Sequence, residues 1–165
     1  MVDPQEQYKK VIGLLDTNAV EYKLFEHRAA LTYEDLALVQ QETGFIGTEG
    51  KCMVLKVNDS FIVYVTLQGK RLNIPVIADT LGAKKVKLAN PEELKEYFGA
   101  EPGCAYPFGF SEDVPIYVDP EIYNQEWLLF SPVLPTRTVQ AKGMDLKKVF
   151  GNLHNKVLEI TNFNQ

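Results

Sequence analysis

The chain of 165 residues is poor in the side chains that carry most metal and nucleophilic chemistry, with only two cysteines and two histidines. Cys52 and Cys104 lie far apart and neither belongs to a CxxC pair. That usage reads as two reduced thiols rather than a disulfide or a zinc site. His27 has no His or Cys at ligand spacing, and His154 falls in a polar terminal stretch that reads as surface. A metal centre built from three or four ligands is therefore not expected, and no Ser-His-Asp arrangement is visible. No apolar run approaches the ~20 residues of a membrane span. The opening residues, Met1-Val2-Asp3-Pro4-Gln5-Glu6, are acidic and polar, the opposite of a secretory leader. The expectation is a cytosolic protein with no membrane partner.

Positive charge is scarce overall: 17 Lys and Arg against 22 Asp and Glu give a net charge of −5, which by composition alone argues against a nucleic-acid binder, and no DNA partner is expected. Its distribution is uneven. Residues 1–50 hold 4 basic and 9 acidic side chains and residues 88–165 hold 6 and 11, so each outer part carries −5. Residues 51–87 hold 7 basic side chains (Lys51, Lys56, Lys70, Arg71, Lys84, Lys85, Lys87) against Asp59 and Asp79, giving +5. Most of these are expected to be ordinary solvated lysines. Taken together they form a local patch suited to a short polyanionic end rather than a long duplex.

With 45% hydrophobic residues, 165 positions suffice for one compact domain. Tyr8, Val11, Ile12 and Leu15 at helical spacing predict a helix from Gln7 to about Asn18. Tyr22–Glu26 reads as a strand, and Thr32 as the cap of a helix stopped by Gly44. Cys52–Val57 and Phe61–Leu67 read as strands joined by a tight turn at Asn58-Asp59-Ser60. Asn73-Ile74-Pro75 and Asn90-Pro91-Glu92-Glu93 start helices closed by Gly82 and Gly99, with a strand at 86–89 between them. Later strands are expected at 116–118, 127–131, 137–141 and 157–160, with a helical turn at 120–123 and a helix over 144–150. The result is a single α/β (α+β) domain over residues 1–165, a mixed and partly barrel-like sheet surrounded by short helices, without internal repeats or linkers.

Two features point to chemistry. Lys51 opens the apolar strand Cys52-Met53-Val54-Leu55, where its charge can stand over a pocket. Some fifty residues later comes Glu101-Pro102-Gly103-Cys104-Ala105-Tyr106-Pro107-Phe108-Gly109, a loop whose glycines can bring bare main-chain groups against a ligand. A charge plus exposed backbone dipoles suits an anion, or an ester whose carbonyl becomes an oxyanion. A strand-edge lysine is by itself more often a snorkelling surface residue.

Lys51-Cys52-Met53-Val54-Leu55-Lys56, Lys70-Arg71-Leu72-Asn73, Leu81-Gly82-Ala83-Lys84-Lys85-Val86 and Gly103-Cys104-Ala105-Tyr106-Pro107-Phe108-Gly109 occur in that order. The chain in this respect resembles the YbaK/aminoacyl-tRNA deacylase family, freestanding relatives of the editing insertion domain of prolyl-tRNA synthetase, from about Phe25 to Phe150. The resemblance implies hydrolysis, in trans, of the ester that joins a wrong amino acid to the 3′ acceptor end of aminoacyl-tRNA. It implies no metal and no organic cofactor. The family's essential lysine falls on Lys51 and its substrate-facing loop on Gly103 to Gly109, so that Gly103, Cys104, Ala105, Tyr106 and Pro107 are candidate site residues. The family's histidine between strand and helix, with the threonine that starts the helix, falls on His27 and Thr32; Ser131 is a candidate from its place in the family order. Departures lie at Ser131-Pro132-Val133-Leu134-Pro135, where some subfamilies carry a histidine and others an arginine-containing turn that Arg137 alone could supply, and at Cys104, where several relatives have glycine.

A wall of Cys104, Ala105 and Thr66 would suit a small amino acid such as Ala, Ser, Thr or Cys. Cys104 reads as pocket wall rather than nucleophile, for want of a neighbouring histidine. Tyr106, Phe108 and Phe110 are equally suited to stacking on a terminal adenine and to core packing. A non-catalytic module that binds the aminoacyl end as the partner of an aminoacyl-tRNA synthetase is the alternative.

Overall fold

The computed structural model describes residues 1–165. Five helices and eight strands follow in the order α1 (Pro4–Thr17), β1 (Tyr22–Glu26), α2 (Tyr33–Thr43), β2 (Thr48–Val57), β3 (Ser60–Leu67), α3 (Ile74–Leu81), β4 (Val86–Leu88), α4 (Pro91–Phe98), β5 (Ile116–Val118), a 3₁₀ turn (Pro120–Asn124), β6 (Leu128–Phe130), β7 (Arg137–Ala141), α5 (Gly143–Asn152) and β8 (Val157–Glu159). Helices α2, α3 and α4 start where the sequence signals them. Helix α1 instead begins at Pro4, three residues before the expected Gln7, because the Asp3 side chain caps it by accepting from the Gln5 N–H at 2.9 Å, and α5 begins at Gly143 rather than Met144. The Thr32 hydroxyl accepts from the Asp35 N–H at 3.1 Å, and Asn90 and Glu93 exchange both bonds of a capping box.

All eight strands join one mixed sheet in the order β1-β7-β6-β2-β3-β5-β8, with β4 added on β2. β2–β3, β2–β4, β6–β7 and β1–β7 run antiparallel; β2–β6, β3–β5 and β5–β8 run parallel. The apolar run of β3 is explained by burial on both faces. Val63, Val65 and Leu67 enter the main core with Val11, Phe108, Val139 and Phe150. Ile62 and Tyr64 point the other way, into a smaller cluster with Leu55, Ile77 and Phe163, as the two-residue period of a strand requires. A third cluster, Ala30, Val39, Phe45 and Leu129, seats α2 on the sheet.

β2 is the pivot of the fold. It begins at Thr48, four residues before the expected Cys52, because Thr48 and Glu49 pair with Leu128 and Leu129 of β6. Its far end, Leu55–Val57, pairs with β4. Between these two neighbours the edge opposite β3 has no strand beside it. A cleft lies in that gap.

Candidate active site

Antiparallel ladders turn alternate residues toward and away from a given neighbour. The Asn58-Asp59 turn joins Val57 to Ser60, and Glu49 O accepts from Gln68 N at 2.9 Å. Odd-numbered residues of β2 thus aim their main-chain groups at β3. The even ones, Gly50, Cys52 and Val54, aim theirs into the gap. Val54 O is taken by Ala89 N at 2.9 Å, while the N–H and C=O of Cys52 face the gap with no strand opposite. The cleft there has a volume of about 360 Å³. The strand edge from Glu49 to Val54 forms one wall and the start of α2 another; the loop at Gly103, the β4–α4 segment and the β6–β7 connection enclose the rest.

The loop after α4 is held from behind. The Tyr106 hydroxyl donates to Phe98 O at 2.7 Å, and Gln7 Nε2 donates to Gly109 O from α1. At its front Gly103 has φ +86°, and a Cβ there would run into the carbonyl oxygen of Leu31 on the opposite wall. Only glycine lets the loop approach α2 so closely. Cys104 N donates to Glu101 O at 2.9 Å, whereas the N–H groups of Gly103 and Ala105 take no main-chain partner.

Lys51 lines the cleft together with Thr32, Gly103, Ala105 and Ser131, so the structure assembles five of the nine candidate residues. The Lys51 ammonium donates to Lys70 O at 3.0 Å, one of the three donors it carries. The residue that supplies this carbonyl is itself fixed: Lys70 Nζ pairs with Asp119 at 2.7 Å and with Glu121, and the Asp119 carboxylate also accepts from Thr66 at 2.7 Å. Burial opposes the Asp119 charge, but hydrogen bonds from Lys70, Thr66 and the Glu121 backbone outweigh it and hold the carboxyl below its ordinary value. Ser131 donates to Leu134 O at 3.3 Å.

The other four candidates are placed elsewhere. Cys104, Tyr106 and Pro107 are buried behind the loop and do not line the cleft. Burial pushes the Cys104 thiol up to about 11, with the nearby Ser131 hydroxyl acting against it, so thiolate is scarce at neutral pH. His27 also stays off the cleft wall; its ring bonds Arg28 O and Thr138 Oγ1, both at 2.7 Å, and packs on Phe45. Its contact with the cleft wall is through Thr138, which does line the cleft. Phe108 and Phe110 are core residues like Tyr106, so packing is their role. Thr66 is buried in the Asp119 network on the far side of β2 and is no part of the pocket wall. Within the basic middle third, Lys56 and Lys70 are neutralised by Glu93 and by Asp119 with Glu121. Lys84, Lys85 and Lys87 are exposed, beside the Leu88–Leu94 rim of the cleft. No three His, Cys, Asp or Glu side chains cluster closely enough to hold a metal ion.

One charged residue of the cleft wall escaped the sequence reading. Glu49 sits on the wall nearest α2, one of its oxygens sealed from solvent without a partner. Burial alone raises its carboxyl from 4.5 to about 7. Burial, followed by the charges of Cys52 and Glu49, also pushes up the phenol of Tyr33, a neighbour in the same cleft. The only sequence cue was a glutamate in a strand otherwise meant for burial, and the strand was not expected to begin until after it.

Comparison with known proteins adds a family to this geometry. Residues 27–149 match the aminoacyl-tRNA editing domain model. A proline–tRNA ligase of Shouchella clausii is 33% identical over 104 residues, covering 62% of this chain and 18% of that protein. A proline–tRNA ligase of Bacillus velezensis is 36% identical over 69 residues, covering 42% of this chain and 12% of that protein. The chain thus spans less than a fifth of the length of these relatives. Among solved structures, a hypothetical protein superposes with a TM-score of 0.74 at 18% identity, over 91% of this chain and 97% of its own. A protein provisionally described as a trans-editing enzyme for prolyl tRNA synthetase superposes with a TM-score of 0.71 at 19% identity, over 98% of this chain and 99% of its own. At these identities the two structures speak for the fold.

Proposed function

Because the chain belongs to the aminoacyl-tRNA editing domain family, we propose that it acts in trans as a deacylase, hydrolysing the ester between a wrong amino acid and the 3′ end of a tRNA. The observation that carries this reading is the meeting of Lys51 and the Gly103 loop in one cleft, beside an unpaired strand edge. The cleft suits an ester: it is largely apolar, Lys51 lies in its wall with the ammonium anchored on Lys70 O, and the N–H groups of Gly103 and Ala105 are without main-chain partners.

In this scheme Lys51 holds the terminal phosphate or ribose and offsets negative charge as the ester carbonyl becomes tetrahedral. The N–H groups of Gly103 and Ala105 receive the developing oxyanion, a role backbone dipoles fill without reorganising. Cys104 N is committed to Glu101 and is excluded from it. Water adds to the carbonyl carbon and the ester C–O bond breaks. The water hydroxyl ends on the amino acid and its proton on the ribose oxygen, with the neighbouring 2′-hydroxyl of the substrate as relay. The ester is already activated, so positioning and charge stabilisation suffice. The exposed Lys84, Lys85 and Lys87 approach phosphates near the acceptor end. The tRNA for proline is the first to test, since the curated relatives are proline–tRNA ligases.

The test is a panel of mischarged tRNAs with wild type and Lys51→Ala. Wild type should hydrolyse at least one ester well above the buffer rate, and the variant should lose about 100-fold, the usual cost of removing one charge-stabilising donor. No hydrolysis above buffer by wild type removes the enzymatic reading. Salt-dependent tRNA binding without cleavage would then favour the binding module partnering a synthetase.

A further inference from the structure

Glu49 is the feature of the cleft that positioning and oxyanion stabilisation leave unused. Its carboxyl lines the wall beside Tyr33 and Leu36, with Oε1 buried and unpartnered. Burying a carboxylate without a cation or donor is costly, and proteins normally supply one. Here neither cation of the cleft serves. The Lys51 ammonium rests on Lys70 O, and Arg137 pairs with Glu26 at 2.8 Å and with Thr136. Burial is the sole influence on the group, so no charged neighbour compensates it. A carboxyl kept on a ligand-sized cleft without a partner is arranged to receive one from outside.

We propose that Glu49 binds a protonated amine of the aminoacyl group, making the cleft selective for substrates that present an ammonium at that wall. This rests on the deacylase reading and names the chemistry by which the same site recognises its substrate. An aminoacyl ester offers such a group at its α-carbon, and a basic amino acid offers a second on its side chain. Either would complete the charge-assisted bond that Glu49 lacks.

Alanyl-tRNA, N-acetylalanyl-tRNA, lysyl-tRNA and α-N-acetyl-lysyl-tRNA, with wild type, Glu49→Gln and Glu49→Asp, separate the two sources. Acetylation removes the α-charge alone. If the α-amine is the ligand, acetylation should lower wild-type kcat/KM about 10- to 100-fold for both amino acids, mainly through KM, the range expected for a hydrogen bond to a charged group. If the side-chain amine is the ligand, only the lysyl pair should be good substrates and acetylation should leave them so. In either case Glu49→Gln should abolish the preference and Glu49→Asp restore part of it. An equal loss of kcat for acetylated and free substrates in Glu49→Gln would make Glu49 a base and overturn the proposal, as would an unchanged preference. Binding of alanine and of lysine, each amide-linked to the 3′ position of adenosine, is measured by calorimetry with wild type and Glu49→Gln and needs no turnover. Loss of binding in the variant upholds the Glu49 contact even if no tRNA is hydrolysed; absence of binding to wild type, or equal binding by both proteins, overturns it whatever the panel shows.

Discussion

Replacing Gly103 by alanine is expected to lower deacylation about 100-fold while the chain stays folded. The residue holds φ +86°, and an added Cβ would overlap the Leu31 carbonyl oxygen. Left-handed backbone costs a non-glycine residue about 1–2 kcal/mol, and a main-chain oxygen cannot swing aside as a side-chain tip can. The loop must therefore retreat from α2 and carry the Gly103 and Ala105 N–H groups with it. A displacement of about 1 Å at a reacting centre is worth about 100-fold in rate. The back of the loop stays anchored through Tyr106 to Phe98 and through Gln7 to Gly109, so the fold should survive with a melting temperature only a few degrees lower. Gly82→Ala is the control. Gly82 closes α3 with φ +62° and no heavy atom within 4 Å of an added Cβ, so it carries the backbone cost without the collision. It should melt lower and hydrolyse normally. Wild-type rates from Gly103→Ala would remove the loop from the mechanism.

The contrast between Gly103 and its neighbours marks where sequence reasoning reaches and where it stops. Local signals carried the fold. Asn90 with Glu93, Gly44, Gly82 and Gly99, and the two-sided apolar run of β3 each act within a few residues, and each stands where its chemistry places it. The loop motif likewise marked Gly103 and Ala105. The same motif drew in Cys104, Tyr106 and Pro107, because a string of loop residues does not say which side chains face outward. That depends on α4 offering Phe98 O to the Tyr106 hydroxyl. The start of β2 was missed for a similar reason: Thr48-Glu49-Gly50 is polar and becomes strand only because β6, some eighty residues later, lies beside it. Glu49 went unread with it. Its half-buried place, with one carboxyl oxygen sealed from solvent, arises only where α2 comes near the start of β2, and a glutamate next to glycine otherwise reads as a solvated charge.

That burial has a thermodynamic consequence separable from catalysis. Glu49→Gln is expected to be more stable than wild type above pH 8 by up to about 3 kcal/mol, and equal to it near pH 4. The Glu49 carboxyl titrates at about 7 in the folded chain against 4.5 ordinarily, and each pK unit is about 1.4 kcal/mol. Below 4.5 both folded and unfolded chains hold the proton, and the carboxyl costs nothing. Between 4.5 and 7 the unfolded chain releases a proton that the folded chain keeps, so wild-type stability falls as pH rises; above 7 the cost is complete. Glutamine has nearly the same shape and no proton to lose. Urea unfolding of both proteins at pH 4.5, 6 and 8.5 isolates Glu49, because every other titrating group is common to the pair. A stability difference that does not grow with pH would mean that the carboxyl is solvated, and the cleft would then have no reason to wait for a cation. A difference that grows with pH but shrinks when an amine-bearing substrate analogue is added would tie the strain to its purpose: a fold kept less stable than it could be until the ligand supplies the missing charge.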